Sequence, residues 1–141
     1  MKKIIGYTQG TFDLFHIGHL NLLEKAKSNC DYLIVGVNSD MLVKEYKNRD
    51  VIVTIEERAK ILRALRCVDE VIITESLDKK KYHAQLKFDK IFIGNDWEQD
   101  ERWIRTEKEM KDLGAELVFL PYTTTTSSTI LRKKLTEIMS F

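Results

Sequence analysis

Short apolar runs alternate with amphipathic stretches along this chain. Lys3 to Tyr7 (Lys-Ile-Ile-Gly-Tyr) reads as a strand, and Tyr32 to Val37 as a short strand buried on both faces. Between them Leu20, Leu23 and Ala26 recur at helical spacing, with Lys and Glu interleaved. Thr54-Ile-Glu-Glu57 matches a capping box, and Ala59, Ile61, Leu62 and Leu65 continue it as the apolar stripe of a helix. The pattern then predicts a strand over Val68–Ile73, a helix over Asp78–Leu86, a strand over Lys90–Ile93 and a helix over Glu101–Leu113. Gly114 stands where a helix-ending glycine belongs. Leu117–Leu120 is the last strand, stopped by Pro121, and Ser127–Met139 is the last helix. The stretch carrying Lys44 and Lys47 reads as a loop. Short apolar strands joined by helices predict an α/β fold, a doubly wound five-stranded parallel sheet with helices on both faces.

Composition narrows the picture. The 141 residues make one domain, 1–141, with 43% apolar and 32% charged residues, which argues against disorder. A formal net charge of +1 creates no global field toward nucleic acid or an anionic membrane, so neither is an expected partner. No apolar run approaches the ~18 residues that span a bilayer. The start, Met-Lys-Lys and then a strand-like segment, lacks the pattern of a secretory leader, so a cytoplasmic location is the expectation. Cys30 and Cys67, far apart and without CxxC spacing, read as reduced thiols.

In a Rossmann-like sheet of this kind ligands bind at the carboxyl ends of the strands. The loops to inspect follow Tyr7, Val37, Ile73, Ile93 and Leu120. The first reads Gly10-Thr-Phe-Asp-Leu-Phe-His-Ile-Gly-His19. His16 and His19 sit three apart at a helix start, so both rings reach one side of that turn. Gly18 between them lets a ligand approach the backbone. Free N–H groups there attract phosphate, and two imidazoles can donate to phosphoryl oxygens as charge builds. Packing is the plainer reading of a lone histidine, but two of only three histidines flanking a glycine favour chemistry. A zinc site would need more ligands than this loop offers. His83, in a charged helix, reads as surface. Ser127, Ser128 and Thr129 open the last helix at the same edge of the sheet, a hydroxyl-rich start suited to an anion.

The Gly10–His19 segment resembles the signature of the nucleotidyltransferase superfamily whose hallmark is His-x-Gly-His. Class I aminoacyl-tRNA synthetases share those four letters, but 141 residues leave no room for their further domains. Among small members the chain is most similar to the glycerol-3-phosphate cytidylyltransferases, along nearly its whole length. Glu57-Arg58, Arg66-Cys-Val-Asp-Glu-Val71 and Gly94-Asn-Asp-Trp97 each look like that family's motifs, with Asn95 in place of the first Asp. After the last strand the family has Arg-Thr-Glu-Gly-Ile-Ser-Thr-Thr. Thr123, Ser127, Ser128 and Thr129 line up with it, whereas Tyr122 replaces the arginine and Thr124-Thr125 the Glu-Gly pair.

The resemblance implies a CTP-dependent transfer of CMP to glycerol 3-phosphate or a similar small phosphorylated alcohol, with Mg²⁺ as cofactor. His16 and His19 would stabilise the α-phosphate in the transition state, and Lys47, with Lys44, would hold the triphosphate. Ser127 and Ser128 would bind the β- and γ-phosphates, with Thr123 beside them. Gly10, Thr11 and Phe12 would contact the nucleotide, while Asp96 and Arg66 would select cytidine. Arg58 would either hold the domain together or contact phosphate. Asp13 and Tyr122 fall to the acceptor side, though Asp13 equally suits bracing the loop. A cytoplasmic homodimer is implied, with Trp103 and Phe141 as candidate apolar anchors if they are not buried. Three alternatives stay open: an adenylyltransferase of the same superfamily, a cytidylyltransferase for another acceptor (glycerol 2-phosphate, another polyol phosphate, phosphocholine or phosphoethanolamine), and a nucleotide-binding regulator without activity.

Overall fold

A computed structural model describes residues 2–94, 101–121 and 127–139. Its strands are β1 (Ile5–Gly10), β2 (Tyr32–Asn38), β3 (Glu70–Thr74), β4 (Lys90–Gly94) and β5 (Glu116–Leu120). The helices are α1 (Ile17–Ser28), α2 (Asp40–Lys47), α3 (Ile55–Arg63), α4 (Lys79–Leu86), α5 (Glu101–Asp112) and α6 (Ser128–Met139). All strand pairs are parallel, in the order β3-β2-β1-β4-β5, as the alternation of elements predicts.

Strand alternation divides the core between the two faces. Leu33, Val35 and Val37 of β2 point to one side, where they meet Leu23 and Ala26 of α1 and Ala59 and Leu62 of α3. Ile34 and Tyr7 point to the other side, against Tyr82 of α4 and Met110 of α5. β1 lies at the centre of the sheet, with β2 on one flank and β4 on the other. The order in which strands are added reverses between β1 and β4, so a crevice opens at the carboxyl ends of these two strands. Gly114 has a φ of 86°, a left-handed conformation that a side chain would strain, and it turns the chain from α5 into β5.

Two expectations are corrected. Residues around Lys44 and Lys47 form a helix, α2, capped by Ser39, whose hydroxyl accepts from the Leu42 N–H at 3.1 Å. Only Leu42 and Val43 of α2 are buried, too few apolar positions to reveal a period. Thr54 does precede α3, but its side chain makes no capping hydrogen bond. The chain before α3 is held instead by Asp13, which accepts from the N–H groups of Ile52 and Val53, each at 2.8 Å.

Gly36 of β2 leaves room for the hydroxyl end of Tyr7 and for Thr74, both of which an added Cβ would strike. Gly36→Ala is therefore expected to destabilise the fold by about 1–3 kcal/mol, because neither a stacked Tyr7 nor a β-branched neighbour can step aside. Chemical denaturation measures it, and a variant as stable as the parent would show that Tyr7 yields. Among the described residues no helix is long and apolar enough to cross a membrane.

Candidate active site at the carboxyl edge

The loop after β1 is tightly coiled. Phe12 and Leu14 both adopt left-handed φ values, 54° and 52°, which non-glycine residues hold only when their surroundings force them. The forcing groups are Asp13, Arg58 and Arg132. Asp13 is 2% exposed, and its carboxylate accepts from Ile52 N–H, Val53 N–H and the Arg132 guanidinium. Burial alone would raise its pKa, but those two N–H groups, with Arg132 and Arg58, outweigh it and hold the carboxyl below the ordinary range. Arg58, 1% exposed, donates to the carbonyls of Thr11 and Asn38 (both 2.7 Å) and Val53 (2.8 Å), and pairs with Asp40. Of the two roles open for Arg58, the structure gives the scaffold one.

Strain and bracing set the next residues. His16 is the N-cap of α1, and its Nδ1 accepts from the Gly18 N–H at 3.0 Å. His19 reaches back, its Nδ1 accepting from the His16 N–H at 3.2 Å. This reciprocal arrangement is a capping box built from two imidazoles in place of a hydroxyl and a carboxylate. With Nδ1 used as acceptor in both rings, each neutral imidazole carries its proton on Nε2. The rings stack with centroids 3.9 Å apart, and Phe12 and Phe15 each lie 5.3 Å from the His19 ring.

Burial pushes the His19 pKa down to about 3, helped by the nearby His16 and Lys47, and burial also lowers that of His16. Both rings are thus neutral Nε2–H donors near pH 7. A stability prediction follows. An unfolded histidine titrates near 6.5, whereas folded His19 resists protonation down to about 3. Between those values the unfolded chain binds the extra proton, so stability falls as pH drops, by up to about 1.4 kcal/mol per pH unit. Thermal melts between about pH 6.5 and 4 are expected to show this slope in the parent and a shallower one in His19→Asn. Equal slopes would mean that His19 is not buried uncharged. The carboxylate of Asp13, held below its ordinary range, adds to the loss at the acid end of that window, as an unfolded aspartate begins to take up a proton, so the difference between parent and His19→Asn isolates the histidine.

Two further elements converge on the loop. At the start of α6, the Ser127 hydroxyl accepts from the Ile130 N–H at 3.1 Å, and the Ser128 hydroxyl donates to the Asp13 carbonyl at 2.6 Å. Arg132, one turn further, binds the Asp13 carboxylate, so α6 is tied to the first loop at two points. The Nη1 of Arg132 is buried without an acceptor among the described residues. From α2, the Tyr46 hydroxyl lies 2.9 Å from the Thr11 hydroxyl, and the Lys47 ammonium sits over the Tyr46 ring at 5.5 Å.

The structure thus gathers Gly10, Thr11, His16, His19, Lys47, Ser127 and Ser128 at one edge. Lys44 is on the exposed side of α2, 3.7 Å from Asp50. Phe12, expected against the nucleotide, is 6% exposed because its left-handed backbone turns the ring into the core beside His19. Asp13, expected toward the acceptor, has its carboxylate consumed by internal partners and takes the bracing role. Arg66 is not brought to this edge. It precedes β3 and lines a shallow depression with Glu24, Lys27 and Cys67, at the amino ends of the strands. Asn95, Asp96, Trp97, Tyr122, Thr123, Thr124, Thr125 and Phe141 lie outside the described residues. Trp103 packs partly buried against the second core cluster. His83 is half-buried, with its ring edge-on to Phe88 at 4.9 Å. Sequence reasoning missed Asn38, Tyr46 and Arg132; for Arg132 a signal existed, since it follows Ser128 by one helical turn and shares its face.

A groove of about 1190 Å³ runs beside α5 past Lys2, Asp89, Arg105 and Glu116, and none of the residues gathered above lines it. Residues 7–134 match the model of the family described as cytidylyltransferase-like. Glycerol-3-phosphate cytidylyltransferase of Bacillus subtilis is 35% identical over 96% of this chain and 98% of its own. FAD synthase of Thermococcus sibiricus is 39% identical over 86% of this chain and 82% of its own. In fold, the crystal structure of a lipopolysaccharide core biosynthesis protein from Thermoplasma volcanium superposes with a TM-score of 0.73, at 24% identity, over 89% of this chain and all of that one. With its paired histidines opening α1 at the sheet's reversal point, the chain belongs to the cytidylyltransferase-like family and is an enzyme of the nucleotidyltransferase superfamily.

Proposed function

We propose that this protein transfers CMP from CTP to glycerol 3-phosphate or a similar small phosphorylated alcohol, forming a CDP-alcohol and pyrophosphate. The observation that carries the reading is the stacked pair of neutral histidines, each with its Nε2–H without a partner among the described residues. A phosphate oxygen of the acceptor attacks the α-phosphorus of CTP, and the bond to the bridging oxygen of pyrophosphate breaks. No protein nucleophile is needed; positioning and charge stabilisation supply the acceleration. His16 and His19 donate to the α-phosphoryl oxygens as charge builds there. Lys47, Arg132 and the first turn of α6 hold the rest of the triphosphate. Among the described residues no cluster of His, Cys, Asp or Glu suits a resident metal ion, and the Asp13 carboxylate is already spent. Mg²⁺ therefore belongs in this reading to the nucleotide, as its counter-ion, and no step above runs through it.

CTP is favoured because glycerol-3-phosphate cytidylyltransferases of two Bacillus species match this chain end to end, covering 96–98% of it and 98–100% of themselves. A second reading has its own support. FAD synthases of several archaea reach 38–40% identity, which points to adenylyl transfer from ATP to a flavin mononucleotide. Pyrophosphate release decides between them. CTP and ATP, each with Mg²⁺, are run against glycerol 3-phosphate, glycerol 2-phosphate, phosphocholine and FMN. Turnover with CTP and a polyol phosphate is the expected outcome; turnover only with ATP and FMN would replace it by the second reading. Nucleotide binding with no turnover on any acceptor would leave a regulator. The same reading carries a cytoplasmic location and a homodimer, and light scattering on the purified protein tests the dimer.

A further inference from the structure

A chain of side-chain hydrogen bonds crosses the carboxyl ends of β1, β2 and β3, and its direction is fixed as far as the Tyr46 hydroxyl. The Gln9 amide approaches the Ser76 carbonyl at 2.9 Å, and a carbonyl can only accept, so the Gln9 atom there is nitrogen. Its oxygen therefore accepts from the Tyr7 hydroxyl at 2.6 Å, and the same nitrogen donates to Asn38 Oδ1 at 2.9 Å. Thr74 donates to that Asn38 oxygen as well, at 2.8 Å. The Asn38 nitrogen is left to donate to the Tyr46 hydroxyl at 3.1 Å. Tyr46 and Thr11 then share one hydrogen bond at 2.9 Å. Two hydroxyls carry two protons and their shared bond uses one, so among the described residues one donor is left over beside the first loop. Tyr46 is 38% exposed, its ring carries the Lys47 ammonium at 5.5 Å, and Lys47 lies close enough to His19 to bias its charge.

We propose that Tyr46 is a positioning residue of the nucleotide site, its ring seating the Lys47 ammonium and its hydroxyl aiming the Thr11 hydroxyl, both toward the triphosphate. The inference rests on the reading above that a nucleoside triphosphate binds at this loop. It adds that the polar chain from Tyr7 to Thr11 exists to orient two phosphate-binding groups rather than only to close the sheet edge. A cation over an aromatic face gains most where water is excluded, as beneath a bound triphosphate.

The test is equilibrium binding of Mg²⁺ complexes of CTP and ATP, without acceptor, to the full chain and its variants. Tyr46→Leu and Lys47→Met are each expected to weaken binding by roughly 10-fold, and the double variant by little more than either alone, since the ring acts through the ammonium. Tyr46→Phe, which keeps the ring, is expected to lose only about 3-fold, and to lose nothing further in a Thr11→Val background. In turnover the losses fall on the nucleotide KM and spare kcat, which a merely structural role would not arrange. Multiplying losses in both cycles, or Tyr46→Leu binding like the parent, would overturn the inference alone. If Tyr46→Leu fails to fold, the Tyr46→Phe and Thr11→Val cycle decides. A parent that binds neither nucleotide overturns the functional reading, and this inference with it.

Discussion

His16→Asn and His19→Asn are each expected to lower kcat by roughly 10²–10³-fold with the fold intact, the scale of losing one transition-state donor. Asparagine is the informative replacement. Its side-chain oxygen can stand where Nδ1 stands, so His16→Asn keeps a good N-cap for the Gly18 N–H and His19→Asn keeps an acceptor for the His16 N–H. What each variant loses is the donor at the far side of the ring. The rate should therefore collapse while the melting temperature moves little at neutral pH and nucleotide KM stays within a few-fold. Steady-state pyrophosphate release beside thermal melts separates the two effects. Near-normal turnover in both variants would remove the histidines from the chemistry. A loss of folding in both would mean that the imidazole capping box is structural first.

The second large effect falls on stability. Arg58→Met is expected to cost about 3–5 kcal/mol, the range for breaking a buried, hydrogen-bonded charge. The guanidinium serves four partners at once: the carbonyls of Thr11, Asn38 and Val53, and the carboxylate of Asp40. Methionine fills the space but leaves three carbonyls and an acid without a donor. The melting temperature should fall by about 10–20 °C. Arg58→Lys should recover little of this, because one ammonium cannot span partners that the planar fork reaches in different directions. A methionine variant melting within about 2 °C of the parent would show that water or repacking satisfies those groups. The loop strained at Phe12 and Leu14 is part of the same unit, so activity is expected to fall along with stability.

The contrast between these two residue classes explains what could be read along the chain. His16 and His19 are close in sequence, and helical spacing alone puts them on one turn; their pairing needed no long-range information. The strands of the sheet were likewise plain, because a strand covered on both faces writes itself as an unbroken apolar run such as Tyr32–Val37. Helix α2 was hidden for the opposite reason. It touches the core through two residues only, so burial imposed almost no pattern on it.

Charged and polar residues of the site divide the same way. Nothing local distinguishes an arginine that holds four groups from one on a solvated face, and Arg58 and Arg66 look alike until the fold sends one beneath the first loop and the other to the far end of the sheet. In sequence Asp13 reads equally as an acceptor-side residue and as a brace for the loop. It becomes a brace only because Val53 and Arg132, 40 and 119 positions away, arrive at its oxygens. Tyr46 gains its place in the same manner, through partners at Thr11 and Asn38. Periodicity, motif spacing and the alternation of elements thus settled the fold class and the pairing of the two histidines, both of which depend on neighbours in the chain. Which polar groups are spent inside the protein was settled only when distant segments met, because a hydrogen bond's second partner is chosen by the fold and leaves no mark beside the first.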